Sequence, residues 1–175
     1  MLTLRLATRA DMDQMTPLLS AAISQLMPAF LTPEQVQGSH ETMGIDAMLI
    51  DDGTYFAVEE DGVIVGCGGW SRRTTLYGGN HSAGRDDTPL NPATDAARVR
   101  AMYTHPNHAR RGIGKMIIDA AEAAARAEGF KRTTLGATLA GEPLYTKCGY
   151  VEVDRHLRPA ANGAVITLLV MVKDI

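Results

Sequence analysis

Residues 2–7, LTLRLA, alternate apolar and polar side chains and predict a half-buried strand. The spacing changes at Asp11. Met12, Met15, Leu18, Leu19, Ala22, Ile23 and Leu26 recur at intervals of three and four, as on one face of a helix ending near Pro28. A weaker helical pattern over residues 33–50 is broken by Gly38 and Gly44. Two strand-like runs, TYFAVEED (54–61) and VIVGCGGW (63–70), meet at Asp61-Gly62 and predict a hairpin. AARVRAMYT (96–104) predicts a strand stopped by Pro106. A helix follows over residues 112–128, with Ile113, Met116, Ile117, Ala120, Ala124 and Ala127 facing inward and Gly129 closing it. KRTTLGAT (131–138) predicts a strand, and residues 142–147 a short helix. YVEVDRHL (150–157) and AVITLLVMV (164–172) predict two last strands around an Asn162-Gly163 turn. The last run is apolar on both faces and is expected in mid-sheet or at a subunit interface.

Residues 71–97 break this regularity. They are rich in Gly, Asp, Asn, Thr and Pro and show no period. A loop of this length inside one domain is usually functional. The 175 residues suit one domain, residues 1–175, with a core that needs no staples. Cys67 and Cys148 stand far apart, in no CxxC pair, and read as reduced thiols in a cytoplasmic protein. No apolar run approaches the roughly 18 residues of a membrane span. A net charge of −3 argues against a nucleic-acid partner.

Against that acidic balance, Arg98, Arg100, Arg110, Arg111 and Lys115 fall in one stretch with no acidic residue between them. The densest part is HARRGIGKMI, residues 108–117, where a strand feeds a loop and the loop opens a helix near Gly112. The first N–H groups of a helix lack internal acceptors and carry partial positive charge. Glycines there let a ligand touch the backbone, and basic side chains add charge-assisted hydrogen bonds. The arrangement points to a pyrophosphate site. It is not a GxGxxG dinucleotide loop, because Ile117 stands where the last glycine belongs. It is not a Walker A loop either, since Ala109 and Met116 occupy the required Gly and Ser/Thr positions. His105 and His108 lack the Cys or acidic partners of a metal site, so no metal is expected.

Strand, PNHARRGIGK, long helix, strand, and then PLYTKCGY at 143–150 together resemble the GCN5-related N-acetyltransferases, the GNAT family. That family carries a Q/R-x-x-G-x-G/A loop and, later, a Tyr in a short helix followed by Gly-Phe or Gly-Tyr. The two motifs span about residues 99–150, and the order of elements agrees from Leu2 to Lys173. The resemblance implies an α+β fold of three layers, α/β/α, with a mixed, mostly antiparallel sheet whose central strands, 98–104 and 131–138, splay apart. It implies acetyl-CoA as cofactor. Backbone groups of Met102, Tyr103 and Thr104 would pair with the pantetheine arm. Arg110, Arg111, Gly112, Ile113, Gly114 and Lys115 would hold the pyrophosphate. Ala109 departs from the motif's Q/R, leaving Arg110 or Arg111 to substitute, and Ala140 stands where relatives often carry an Asn.

By the same resemblance the chain is an N-acetyltransferase that moves an acetyl group directly to a primary amine of a small molecule in a ternary complex. A non-catalytic acyl-CoA-binding module is the alternative. Tyr145 is the candidate acid for the departing thiolate, and an N–H near Tyr103 the candidate oxyanion donor. Glu59 and His81 are the candidate bases, with Glu60 and Asp95 behind them. Trp70, Arg98 and Arg100 are candidate acceptor contacts. The two arginines alternate with Val99 and Ala101 on one strand face, and would meet a carboxylate or phosphate if that face borders the cleft. Tyr77-Gly78-Gly79 gives the long loop the freedom of a lid. The apolar 164–172 run makes a homodimer the expected assembly.

Overall fold

Asp61 and Gly62 both take positive φ, and the hairpin predicted around them joins β2 (Tyr55–Glu60) to β3 (Val63–Ser71). In the computed structural model, which describes residues 1–175, this hairpin is part of a seven-stranded sheet. β1 (Leu2–Leu6) adds antiparallel to β2, and β4 (Ala97–Thr104) antiparallel to β3. β5 (Arg132–Thr138) touches β4 in parallel, while β6 (Val151–Pro159) and β7 (Val165–Asp174) complete the order β1-β2-β3-β4-β5-β7-β6. All other pairings are antiparallel, so the sheet is mixed.

Helices cover both faces, because β2 and β3 bury alternate residues on opposite sides. Tyr55, Ala57 and Cys67 pack with α1 (Met12–Leu26), whose buried Met15, Leu18, Leu19, Ala22 and Ile23 are the predicted stripe. Phe56, Val58 and Val65 pack on the other face with α4 (Ile113–Ala127). This gives the α/β/α layering expected of the fold.

Two expectations need correction. The helix over 33–50 is two helices, α2 (Pro33–Thr42) and α3 (Ala47–Asp51), and it breaks only at Gly44. Gly38 stays helical. A Cβ there would lie 2.6 Å from Ala160 Cβ, so the glycine serves close packing against the β6–β7 turn. The buried face of α4 is rotated, to Ile113, Ile117, Ile118, Ala121, Glu122 and Ala125. Met116, Ala120 and Ala124 pack only partly against the core, and Ala127 is exposed. Glu122 turns inward because Lys173 of β7 meets its carboxylate at 2.7 Å and 2.8 Å. The doubly apolar β7 lies in mid-sheet, one of its two expected places, between β5 and β6. That run is accounted for within the chain and no longer argues for a homodimer.

Glu59, a candidate base, belongs to this scaffold. Its carboxylate accepts from Arg5 Nε at 3.0 Å, and it lines no part of the central cavity described below. Arg5 also binds Asp11 at 2.7 Å and 2.8 Å, and Asp11 accepts from the Thr8 N–H at 2.6 Å. These donors hold the nearly buried Asp11 carboxyl well below the usual carboxylate range. A carboxyl with a depressed folded-state pKa stabilises above its unfolded pKa, and this is lost as pH falls below about 4. Asp11→Asn is therefore expected to lower stability at pH 7 by about 2 kcal/mol. Thermal melts should show the gap to the parent protein shrinking toward pH 3. A gap constant across that range would contradict the assignment.

Candidate active site

β4 and β5 pair only at Ala97–Thr133 and Arg98–Thr134. From there β5 continues along β7 to Thr138, while β4 stays with β3. A bulge accompanies the parting. Ala101 and Met102 together oppose Gly68, between the Gly69–Arg100 and Cys67–Tyr103 pairs, and Ala101 takes φ of 52°. The Tyr55 hydroxyl pins the bulge by donating to the Ala101 carbonyl at 2.6 Å. Past it, His105 N–H donates to the Val65 carbonyl at 2.9 Å. Alternation then points the backbone of Met102 and Thr104 into the gap and that of Tyr103 toward β3. Two of the three residues expected to line the gap through their backbone do so, and any oxyanion donor near Tyr103 belongs to its neighbours.

The loop after β4 leaves a run of amides free. No backbone carbonyl or side chain accepts from the N–H groups of Arg110, Arg111, Gly112, Ile113, Gly114 or Lys115. The first bond of α4 is Met116 N–H to Gly112 O at 3.0 Å. Two kinks, one residue apart, make this possible: Arg110 has φ of 65° and Gly112 of 86°, and a Cβ on Gly112 would meet open space. Successive N–H groups around left-handed residues form an anion-binding concavity, reinforced by the N-terminal end of the α4 dipole. The side chains divide differently from expectation. Arg111 forks onto Glu60 at 2.6 Å and 2.7 Å and holds that carboxyl down to about 2. Lys115 pairs with Asp119 at 2.5 Å. Arg110 is exposed and pairs with no acidic group, so it is the side chain free to replace the motif's missing Q/R.

A cavity of about 840 Å³ runs through the gap, from Gly114 and Leu144 past Met102 and Gly136 to the long loop. Tyr145, on α5 (Glu142–Lys147), lines it and is only 8% exposed. Its hydroxyl has no hydrogen-bond partner, whereas those of Tyr55, Tyr77, Tyr103 and Tyr150 each have at least one. Burial raises its pKa, so the phenol keeps its proton.

Residues 71–97 fold over the far end of the cavity. Tyr77 lies on Gly136 of β5, and its hydroxyl meets Arg158 Nε at 2.5 Å and His156 Nδ1 at 3.2 Å on β6. Ser82 donates to the Thr42 carbonyl, and His81 Nε2 lies 2.7 Å from the Glu41 carbonyl. His81 lines the cavity. Arg100 does too, but Arg98 does not: its guanidinium is spent on the Thr74 and Ala96 carbonyls. Trp70 is also misplaced by the sequence reading. It is fully buried among the α4-side residues, edge-on to Phe130, with Arg72 over its ring. Asp95 caps the turn at Asn91. Arg85, His156 and Arg158 line the cavity without having been expected there.

The acetyltransferase (GNAT) family model matches residues 20–150, well over half of the chain. No curated protein matches it. Among solved structures, the chain is 22% identical to a GCN5-related N-acetyltransferase, "Aminotransferase, Class-II", from Rhodopseudomonas palustris, with a TM-score of 0.72 over 99% of this chain and 95% of that one. PaiA N-acetyltransferase from Thermoplasma acidophilum, solved with coenzyme A, is 11% identical at a TM-score of 0.64, covering 100% and 99%. YncA, a putative acetyltransferase from Salmonella typhimurium solved with acetyl-CoA, is 16% identical at 0.65, covering 99% and 94%. At these identities the likeness is one of fold. With the parted strands, the free amide loop and the family match in agreement, this chain belongs to the GNAT acetyltransferases, enzymes that take their acetyl group from acetyl-CoA.

Proposed function

We propose that the protein acetylates a primary amine of a small molecule by direct attack in a ternary complex. The observation that carries this is the unpartnered Tyr145 hydroxyl in the cavity that also receives the gap-facing backbone of β4. The residues fit acetyl-CoA. The amides of Arg110 to Lys115 form an anion cradle of pyrophosphate type, and the backbone of Met102 and Thr104 offers a strand-like edge to the pantetheine amides. When bound, acetyl-CoA supplies an acetyl group activated as a thioester.

The chain's own groups do the rest. Gap-facing N–H groups near Met102 are placed to hydrogen-bond an oxygen that gains charge. Tyr145 keeps a proton for the departing sulfur. His81 suits the opposite task. Its Nε2, facing a carbonyl, must carry the hydrogen, which leaves the Nδ1 lone pair to take a proton from the acceptor's ammonium. The roof formed by residues 71–97 favours a compact acceptor over a folded protein surface. Both cysteines are free thiols, which supports a cytoplasmic location.

Three measurements test this. Gly112→Ala puts a side chain on a residue at φ of 86° beside the free amides and should weaken coenzyme A binding about tenfold in calorimetry. Unchanged affinity would move the pyrophosphate elsewhere. Tyr145→Phe should lower kcat about 100-fold while the dissociation constant for acetyl-CoA holds. Full turnover by that variant would remove Tyr145 from the chemistry, and an absence of turnover in the parent protein with tight acetyl-CoA binding would favour a binding module. His81→Gln should lower kcat/KM at neutral pH, where the acceptor is still an ammonium, and the loss should shrink as pH rises and the amine loses its own proton. A uniform loss across pH would contradict the base assignment.

A further inference from the structure

Arg100 is buried on β4 with an incomplete set of partners. It is 4% exposed and lines the cavity. Its Nη1 donates to Asp46 at 2.8 Å and its Nη2 to the Gly78 carbonyl at 2.6 Å, but its Nε is buried with no acceptor. A buried donor without an acceptor is costly, so such a group calls for a partner. Asp46 is also shared. Arg85 reaches the same Oδ2 at 2.9 Å, and Asp46 Oδ1 accepts from Met48 N–H at the start of α3. One carboxylate thus answers two guanidiniums. Burial pulls the Arg100 pKa down and Asp46 only partly restores it.

The other charged groups nearby do not fill that deficit. Asp87 meets Arg85 at 3.3 Å from a position 40% exposed. Glu41 and Asp86 line the cavity but are exposed, and Asp86 is turned to the Thr88 N–H. Arg158 lines the same end, stacked over the Tyr77 ring at 5.0 Å, and adds positive charge. His81 and His156, with the tyrosines Tyr77, Tyr103 and Tyr145, complete the titratable lining. Arg100 lies two positions before Met102 on the same strand, roughly 7 Å away. An anion held there would sit a few bonds from an amine presented at the gap.

We propose that Arg100 and Arg85 form an oxyanion subsite, and that the acceptor is a small primary amine that also carries a carboxylate or phosphate. Its oxygens would take the Arg100 Nε–H and the Arg85 guanidinium, completing what Asp46 leaves unpaired. This rests on the acetyltransferase reading and adds the chemical class of the substrate to it.

The test is thiol release from acetyl-CoA with matched amines: β-alanine and other free amino acids, their amides, 2-aminoethyl phosphate, ethanolamine and putrescine. The anionic members should exceed their neutral or cationic partners at least tenfold in kcat/KM, and comparing β-alanine with 2-aminoethyl phosphate identifies the anion. Arg85→Gln should raise KM for the anionic acceptors at least tenfold and leave KM for acetyl-CoA unchanged; Arg100→Lys, checked by melting for folding, should do the same. Equal or better turnover of amides or putrescine would overturn the subsite while leaving an acetyltransferase. If no amine is turned over, calorimetry with N-acetyl-β-alanine and its amide decides. Binding of the acid alone, weakened by Arg85→Gln, supports the subsite, and equal binding or none overturns it. Failure to bind acetyl-CoA would instead sink the acetyltransferase reading and leave the binding arm to judge the subsite.

Discussion

The structure depends on a strand that is prevented from closing on its neighbour. β4 and β5 begin as an ordinary parallel pair and would gain further hydrogen bonds by zipping together. The extra residue at Ala101, held by the Tyr55 hydroxyl, accompanies a change in the course of β4, and β5 takes its partners from β7 instead. The edge of β4 beyond the bulge keeps its polar groups facing a cavity. Backbone polar groups left unpaired must find water or a ligand. The same logic applies to the amides of Arg110 to Lys115, which the kinks at Arg110 and Gly112 keep out of any internal bond. Both features are unfilled backbone valences at the mouth and along the wall of one cavity, and an extended diphosphate-bearing coenzyme suits both.

The acceptor end is built by side chains and a loop. Residues 72–96 have no helix or strand of their own beyond a bridge between Arg73 and Pro89, yet they are tied down at several points. Tyr77 is held by β6, Ser82 and His81 by the end of α2, and Gly78 by Arg100. Arg100 thus joins β4, the start of α3 and the roof. A group that moves the roof or occupies the arginine pocket acts on the same cluster, which is why the acceptor's charge and the loop's position are physically connected.

Elements with strong periodicity were legible in the sequence. The α1 stripe, the Asp-Gly hairpin, the order of strands and the glycine-bearing loop before α4 follow from local spacing and turn chemistry. The α4 face was harder, because alanines surround the helix and the partner that draws Glu122 inward, Lys173, lies 51 positions away. Glu59 and Trp70 were misplaced for a similar reason. Strand alternation tells which residues share a face, but not which face meets the cavity, and Arg5 and Phe130 claim these side chains from distant parts of the chain. The bulge left a trace in Gly68-Gly69, since glycines inside a strand often mark one. Arg85 and Arg158 left none, since only the folded loop and the edge strand bring them to the site.

The central claim is that the free amides of Arg110 to Lys115 and the gap-facing backbone of Met102 and Thr104 are where coenzyme A is held. Residue-resolved amide hydrogen exchange, with and without saturating coenzyme A, measures this directly. Protection concentrated in residues 110–115 and at Met102 and Thr104 is the predicted result. Exchange at those amides that stays unchanged while the coenzyme is bound would contradict it.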